Sequence, residues 1–125
     1  MARRQKAKII CLDARATSLL IRKYLLEYAG HDVMTATDVE TGLKMLEDHA
    51  PDLVLIDESL AAAATQFLKA KKEERSIPVL LICDMPFYSS DLRTCVDDVV
   101  WRAEPVEVLL DKVGTWVGRK SSEQT

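Results

Sequence analysis

Pro51-Asp52-Leu53-Val54-Leu55-Ile56-Asp57-Glu58 carries four consecutive apolar residues that end abruptly on two carboxylates. A short apolar run without alternation fits a parallel strand covered by helices on both faces. Asp57 then stands where that strand leaves the core. In open α/β sheets this carboxyl edge is where sites are built. Most strand-ending aspartates only end a strand. A functional role needs acidic or polar partners at the ends of neighbouring strands.

The chain around this stretch supplies such strands. Upstream, Ala7 to Leu12 reads as a first buried strand ending at Asp13. A helix over about 17–29 follows, with Thr17 or Ser18 as its cap and Gly30 as its stop. Its inward stripe is expected to be Ile21, Leu25 and Tyr28, widened by Leu20 and Tyr24. Val33 to Ala36 is a second strand. Thr37 and Glu40 have capping-box spacing for a second helix, which carries Val39, Leu43, Leu46 and Ala50 and is barred from continuing by Pro51. Downstream, an alanine-rich helix over about 61–74 leads to a fourth strand, Ile77 to Cys83, followed by Asp84. Ser89 or Ser90 caps a short helix ending at Val96, and Val99-Val100-Trp101 is a fifth strand. Pro105 suits the first turn of a last helix lined by Val106, Leu110, Val113 and Val117.

Strands and helices thus alternate five times. Short loops and right-handed crossovers make this a three-layer, doubly wound parallel sheet of flavodoxin-like type, order 2-1-3-4-5. In that order Asp13, Asp57 and Cys83-Asp84 converge on one edge. Residues 1–6 read as a disordered basic leader, 7–118 as the domain and 119–125 as a polar tail.

Length and composition bound the function. The 125 residues make one domain, and 48% hydrophobic with 30% charged residues is an ordinary soluble composition. A net charge of -3 argues against a generic nucleic-acid surface. No apolar run approaches the length of a membrane span. Cys11, Cys83 and Cys95 form no CxxC and fit a reducing, cytoplasmic setting. There is no Ser/His/Asp or Cys/His nucleophile set and no Cys/His metal spacing. The aspartate-nucleophile phosphatase pattern needs a second Asp two residues after the first, where this chain has Ser59. A flavin reading needs a phosphate cradle, and Asp13-Ala14-Arg15-Ala16-Thr17-Ser18 has no glycine.

The motifs KIICLD (Lys8 to Asp13), TATDVETGLKMLEDHAPDLVLID (Thr35 to Asp57) and IPVLLI (Ile77 to Ile82), in this order, resemble the receiver domain of bacterial response regulators. The similarity runs from about Lys8 to Val117. It implies that Asp57 is the aspartate that accepts a phosphoryl group from a histidine kinase. It also implies a Mg²⁺ site at Asp13 and Asp57, a switch aromatic at Trp101, and a partner or dimer face formed by the short helix before strand 5, strand 5 and the last helix. Trp101 and Trp116 lie on that face.

The pocket departs from the family pattern. Ala14 replaces the second strand 1 carboxylate, Arg15 follows it, Cys83 replaces the strand 4 hydroxyl, and Glu104 replaces the lysine before Pro105. Phosphoryl transfer needs positive charge on the transferring oxygens. A phosphoryl group beside Glu104 would instead meet a like charge, costing on the order of 4 kcal/mol at ~4 Å. Three readings follow. Asp57 accepts phosphate slowly with weakly held Mg²⁺. Or the pocket is inactive, with Arg15 as a built-in cation, and the domain signals through protein contacts. Or Asp13, Asp57 and Glu104 hold a divalent cation without phosphate. The second is the main expectation: a stand-alone signalling module of a two-component phosphorelay, not an enzyme, whose output comes from a partner or from a second copy.

Overall fold

The computed structural model describes residues 6–74, 77–84 and 94–123. Along them run β1 (Lys8–Leu12), α1 (Ala16–Tyr28), β2 (Asp32–Ala36), α2 (Val39–His49), β3 (Leu53–Asp57), α3 (Glu58–Glu74), β4 (Val79–Cys83), β5 (Asp98–Trp101) and α4 (Val106–Glu123), with residues 94–95 helical ahead of β5. The leader through residue 5, the loop and cap at Met85 to Ser90, and the start of the short helix ending at Val96 lie outside the described residues.

The sheet is parallel throughout, in the order β2-β1-β3-β4-β5. Every residue of β3 and β4 is buried, as continuous apolar runs require when helices cover both faces. Successive side chains point to opposite faces. Ile10, Leu12, Val54, Ile56 and Leu81 join Leu46 of α2 with Ala64 and Leu68 of α3. Ile9, Cys11, Leu53, Leu55 and Leu80 join Leu19 and Leu26 of α1 with Leu109, Val113 and Val117 of α4. Burying each such Leu, Ile or Val contributes roughly 1.5–3 kcal/mol, so the two apolar layers hold the sheet between its helices. At Gly42 the helix comes so close to β1 that an added Cβ would lie 2.3 Å from Leu12 Cδ2.

Three local expectations are corrected. The inward face of α1 is Leu19, Arg22 and Leu26, not Ile21, Leu25 and Tyr28. Arg22 Nη1 reaches Asp13 Oδ2 at 3.1 Å, and this buried pair turns the helix so that Leu20, Ile21, Tyr24 and Tyr28 face water. Second, α1 has no side-chain cap and α2 is capped by Asp38, one residue after Thr37, whose carboxylate accepts from the Thr41 N–H at 2.7 Å. Third, Leu109 takes the buried place expected of Val106, and α4 runs on to Glu123, into the stretch read as a tail.

Candidate functional site

The register sets the site. β3 pairs Asp57 with Ile82 of β4, and β4 pairs Cys83 with Trp101 of β5. The Asp13 N–H donates to Ala36 O just past β1. Arg102 leaves β5 with its N–H on Cys83 O at 2.7 Å. The carboxyl edge therefore gathers Asp13, Asp57, Asp84 and Arg102 from four different strand ends. This edge is where parallel α/β sheets build sites.

Asp13 and Asp57 are both fully buried. Buried carboxylates persist only with partners, and here the partners are guanidinium groups. Asp57 Oδ1 accepts from Arg102 Nη1 at 2.5 Å and has Arg15 Nη2 at 3.5 Å. Asp57 Oδ2 accepts from the Ser59 N–H at 2.9 Å. Asp13 Oδ2 is taken by Arg22, and its Oδ1 accepts from the Arg15 N–H at 2.9 Å and the Ser59 hydroxyl at 3.3 Å. Ser59 Oγ in turn accepts from the Ala14 N–H at 3.1 Å, tying the start of α3 to the loop after β1.

Arg102 is the hub. Besides Asp57 it donates from Nε to Asp84, and its Nη2 stands 3.8 Å from Glu58 Oε1. That Nη2 is buried without a hydrogen-bond partner among the described residues. Burial would lower the Arg102 pKa, but the bonds to Asp57 and Asp84 outweigh it and the guanidinium is held more firmly charged. Burial alone would raise the Asp57 carboxyl. The Arg102 hydrogen bond, then the Ser59 N–H and hydroxyl, bring it below the usual carboxylate value. Burial, followed by the nearby charge of Glu58, pushes the Cys83 thiol up to about 11. A neutral, buried thiol is a weak donor where a hydroxyl was expected.

Of the residues singled out from sequence, Asp13, Asp57 and Arg15 are brought together. Cys83 lies beside them at the end of β4. Glu104 is not part of the cluster: its Oε1 accepts from the Trp101 N–H at 2.8 Å, closing the turn after β5. Asp13, Asp57 and Glu104 therefore do not form a cation cage, and no group of three or more metal-ligating side chains exists among the described residues. Asp13 and Asp57 are the carboxylates at this edge that would hold a Mg²⁺ ion, and in this arrangement each of their oxygens accepts from Arg or Ser59, so an ion would compete with those donors. Trp101 is half-buried at the rim. Trp116 is half-buried too, with its Nε1–H on Asp98 Oδ2 at 3.0 Å, so it is not an exposed anchor.

Two residues went unnoticed in the sequence. Arg22 carried a signal, because it interrupts the Leu19–Leu26 face at helical spacing one element after Asp13. Arg102 carried none beyond standing at a strand end, since only the pairing of β5 with β4 aims it at Asp57.

Known proteins share this fold. The chain superposes on NtrX from Brucella abortus in complex with ADP with a TM-score of 0.84, at 21% identity over 96% of this chain and 28% of that one. It superposes on a response regulator receiver modulated diguanylate cyclase from Pelobacter carbinolicus with a TM-score of 0.78, at 20% identity over 94% of this chain and 97% of that one. Vibrio cholerae chemotaxis protein CheY4 gives a TM-score of 0.74 at 19% identity, over 87% of this chain and 97% of that one. No protein-family model matches the chain. In sequence, 50 residues are 40% identical to the alkaline phosphatase synthesis transcriptional regulatory protein PhoP of Bacillus subtilis (strain 168), covering 40% of this chain and 21% of that protein. No described helix is long and apolar enough to cross a membrane. The fold is the receiver fold of response regulators, and the sequence shared with PhoP spans less than half of this chain and about a fifth of that protein.

Proposed function

We propose that the chain is a receiver-type signalling module of a two-component phosphorelay, cytoplasmic and without turnover of its own, whose acceptor pocket is closed by its own arginines. It acts through protein–protein contacts. The contact of Arg102 with Asp57 carries this reading, with Arg15 behind it. A receiver pocket works by recruiting positive charge to the acceptor carboxylate, from a metal ion and a lysine. Here the charge is tethered to the chain. Asp57 is fully buried and both guanidinium groups reach it from partly exposed positions, so the arginines hold one pocket state without phosphate or Mg²⁺.

A second reading keeps Asp57 as a working acceptor, phosphorylated by a histidine kinase with Mg²⁺. One observation favours it. Asp57 is held ionised, and the buried Arg102 Nη2 beside it lacks a hydrogen-bond partner among the described residues and suits a phosphoryl oxygen.

Intact mass after incubation with Mg²⁺ and acetyl phosphate separates the two, with Asp57→Asn and Arg102→Ala run beside the wild type. The closed pocket predicts no adduct on the wild-type chain. A single phosphoryl adduct that disappears in Asp57→Asn makes it a working receiver and overturns the first reading.

A further inference from the structure

The outward turn of α1 leaves a surface that the pocket does not explain. Among the described residues the exposed large apolar side chains are Leu20, Ile21, Tyr24, Tyr28 and Val106. Four of the five stand on α1, and Tyr24 and Tyr28 are 73% and 85% exposed. Leu20, Tyr24 and Tyr28 follow one another at one-turn spacing, so they form a continuous ridge along the helix. Ile21 at the side of the ridge and Val106 at the start of α4 line one groove of about 270 Å³, together with Leu25, Leu109 and Trp101. Isolated exposed apolar residues are ordinary, but a contiguous patch marks an interaction site.

Charge identifies the occupant. Lys23 and Glu27 stand one turn apart on the flank of the ridge away from the groove. Neither forms an ion pair within the chain among the described residues. We propose that the ridge is a self-association surface on which two copies pair antiparallel along α1, with Lys23 of each copy against Glu27 of the other. In an antiparallel helix pair matching flanks meet. A two-fold axis near Leu25 then makes both ion pairs at once and lays Ile21 of one copy over Tyr28 of the other. A parallel pair would set the Lys23–Glu27 flank against the groove side, where α1 itself presents Ser18 and Leu25 and the charges, Arg22, Arg102 and Glu104, are already held by Asp13, Asp57 and the Trp101 N–H. The two tyrosines supply on the order of 300 Å² per copy. The remaining ridge and groove walls extend that toward the roughly 800 Å² per partner of a stable interface. Tyrosine hydroxyls at the rim stay wet, as interface tyrosines do. The ridge on α1 is distinct from the surface expected around Trp116, and the groove beside it shares Trp101 with that face.

Sedimentation equilibrium of the whole chain over a concentration series tests the pairing, on the wild type, Lys23→Glu, Glu27→Lys and the double swap. Circular dichroism checks that each variant is folded. The expected result is a wild-type dimer that each single reversal weakens by roughly tenfold or more, since both symmetric pairs turn repulsive together. The double swap should return the dissociation constant to within roughly threefold of wild type. A monomeric wild type at all concentrations overturns the proposal. So does a dimer indifferent to the single reversals, or a double swap that stays as weak as they are. A monomer would leave the pocket reading intact, because acetyl phosphate labelling reads that separately.

Discussion

At the scale of the residue, Arg22 shows how one charge sets the rotation of a helix. Its guanidinium is the inward-facing polar group of α1 and is paired with a fully buried carboxylate. Replacing it by alanine would strand Asp13 without its strongest partner. Arg22→Ala is therefore expected to lower unfolding stability by about 3–5 kcal/mol, measured by urea denaturation. The double change Arg22→Met with Asp13→Asn should recover most of that, because the uncompensated charge is gone. A loss under about 1 kcal/mol in Arg22→Ala would mean that Arg15 and Ser59 satisfy Asp13 without it. Arg102 follows the same logic at Asp57, but its side chain is 25% exposed and also serves Asp84, so its removal perturbs the pocket more than the fold.

Among the elements, helix ends and helix interiors offer changes that leave the pocket alone. α2 closes on Ala50, which adopts φ 40°, ψ 67°, a left-handed conformation that a Cβ disfavours by roughly 1–2 kcal/mol. Glycine removes that strain but gains freedom in the unfolded chain. Ala50→Gly should therefore raise the stability by about 0.5–1 kcal/mol net. In α4, nothing lies within 4 Å of a Cβ placed on Gly114. Gly114→Ala is expected to add about 1 kcal/mol through helix propensity alone. Thermal unfolding followed by circular dichroism reads both as upward shifts in Tm; a downward shift at Ala50 would show that its Cβ makes a contact worth keeping. Both sites lie away from Asp57, so neither should alter its reactivity.

For the whole molecule, the consequence of a tethered cation is indifference to a free one. A protein that binds a metal ion only when folded is stabilised by RT ln(1 + L/Kd) at free ion concentration L, about 2.7 kcal/mol at a hundredfold excess over Kd. With Arg102, Arg15 and Arg22 on the carboxylates, Tm should be the same in millimolar Mg²⁺ and in EDTA. A rise of several degrees with Mg²⁺, lost in Asp57→Asn, would mean that the arginines yield to the ion. The architecture was legible in the sequence because apolar runs of β length, helical periodicity and Pro or Gly stops all depend on near neighbours in the chain. Lys8 to Asp13, Leu53 to Asp57 and Ile77 to Cys83 located the sheet and placed Asp13 and Asp57 at its edge, and Ala14, Cys83 and Glu104 were legible as departures from the receiver pattern. What answers Asp57 was decided only by the tertiary structure. Strand pairing across β4 and β5 delivers Arg102, the Arg22–Asp13 pair rotates α1 and exposes Tyr24 and Tyr28, and Glu104 turns back on the Trp101 N–H. Each of these rests on contacts between segments remote in sequence or on a choice among nearby partners, and no local pattern encodes how such charges will be shared.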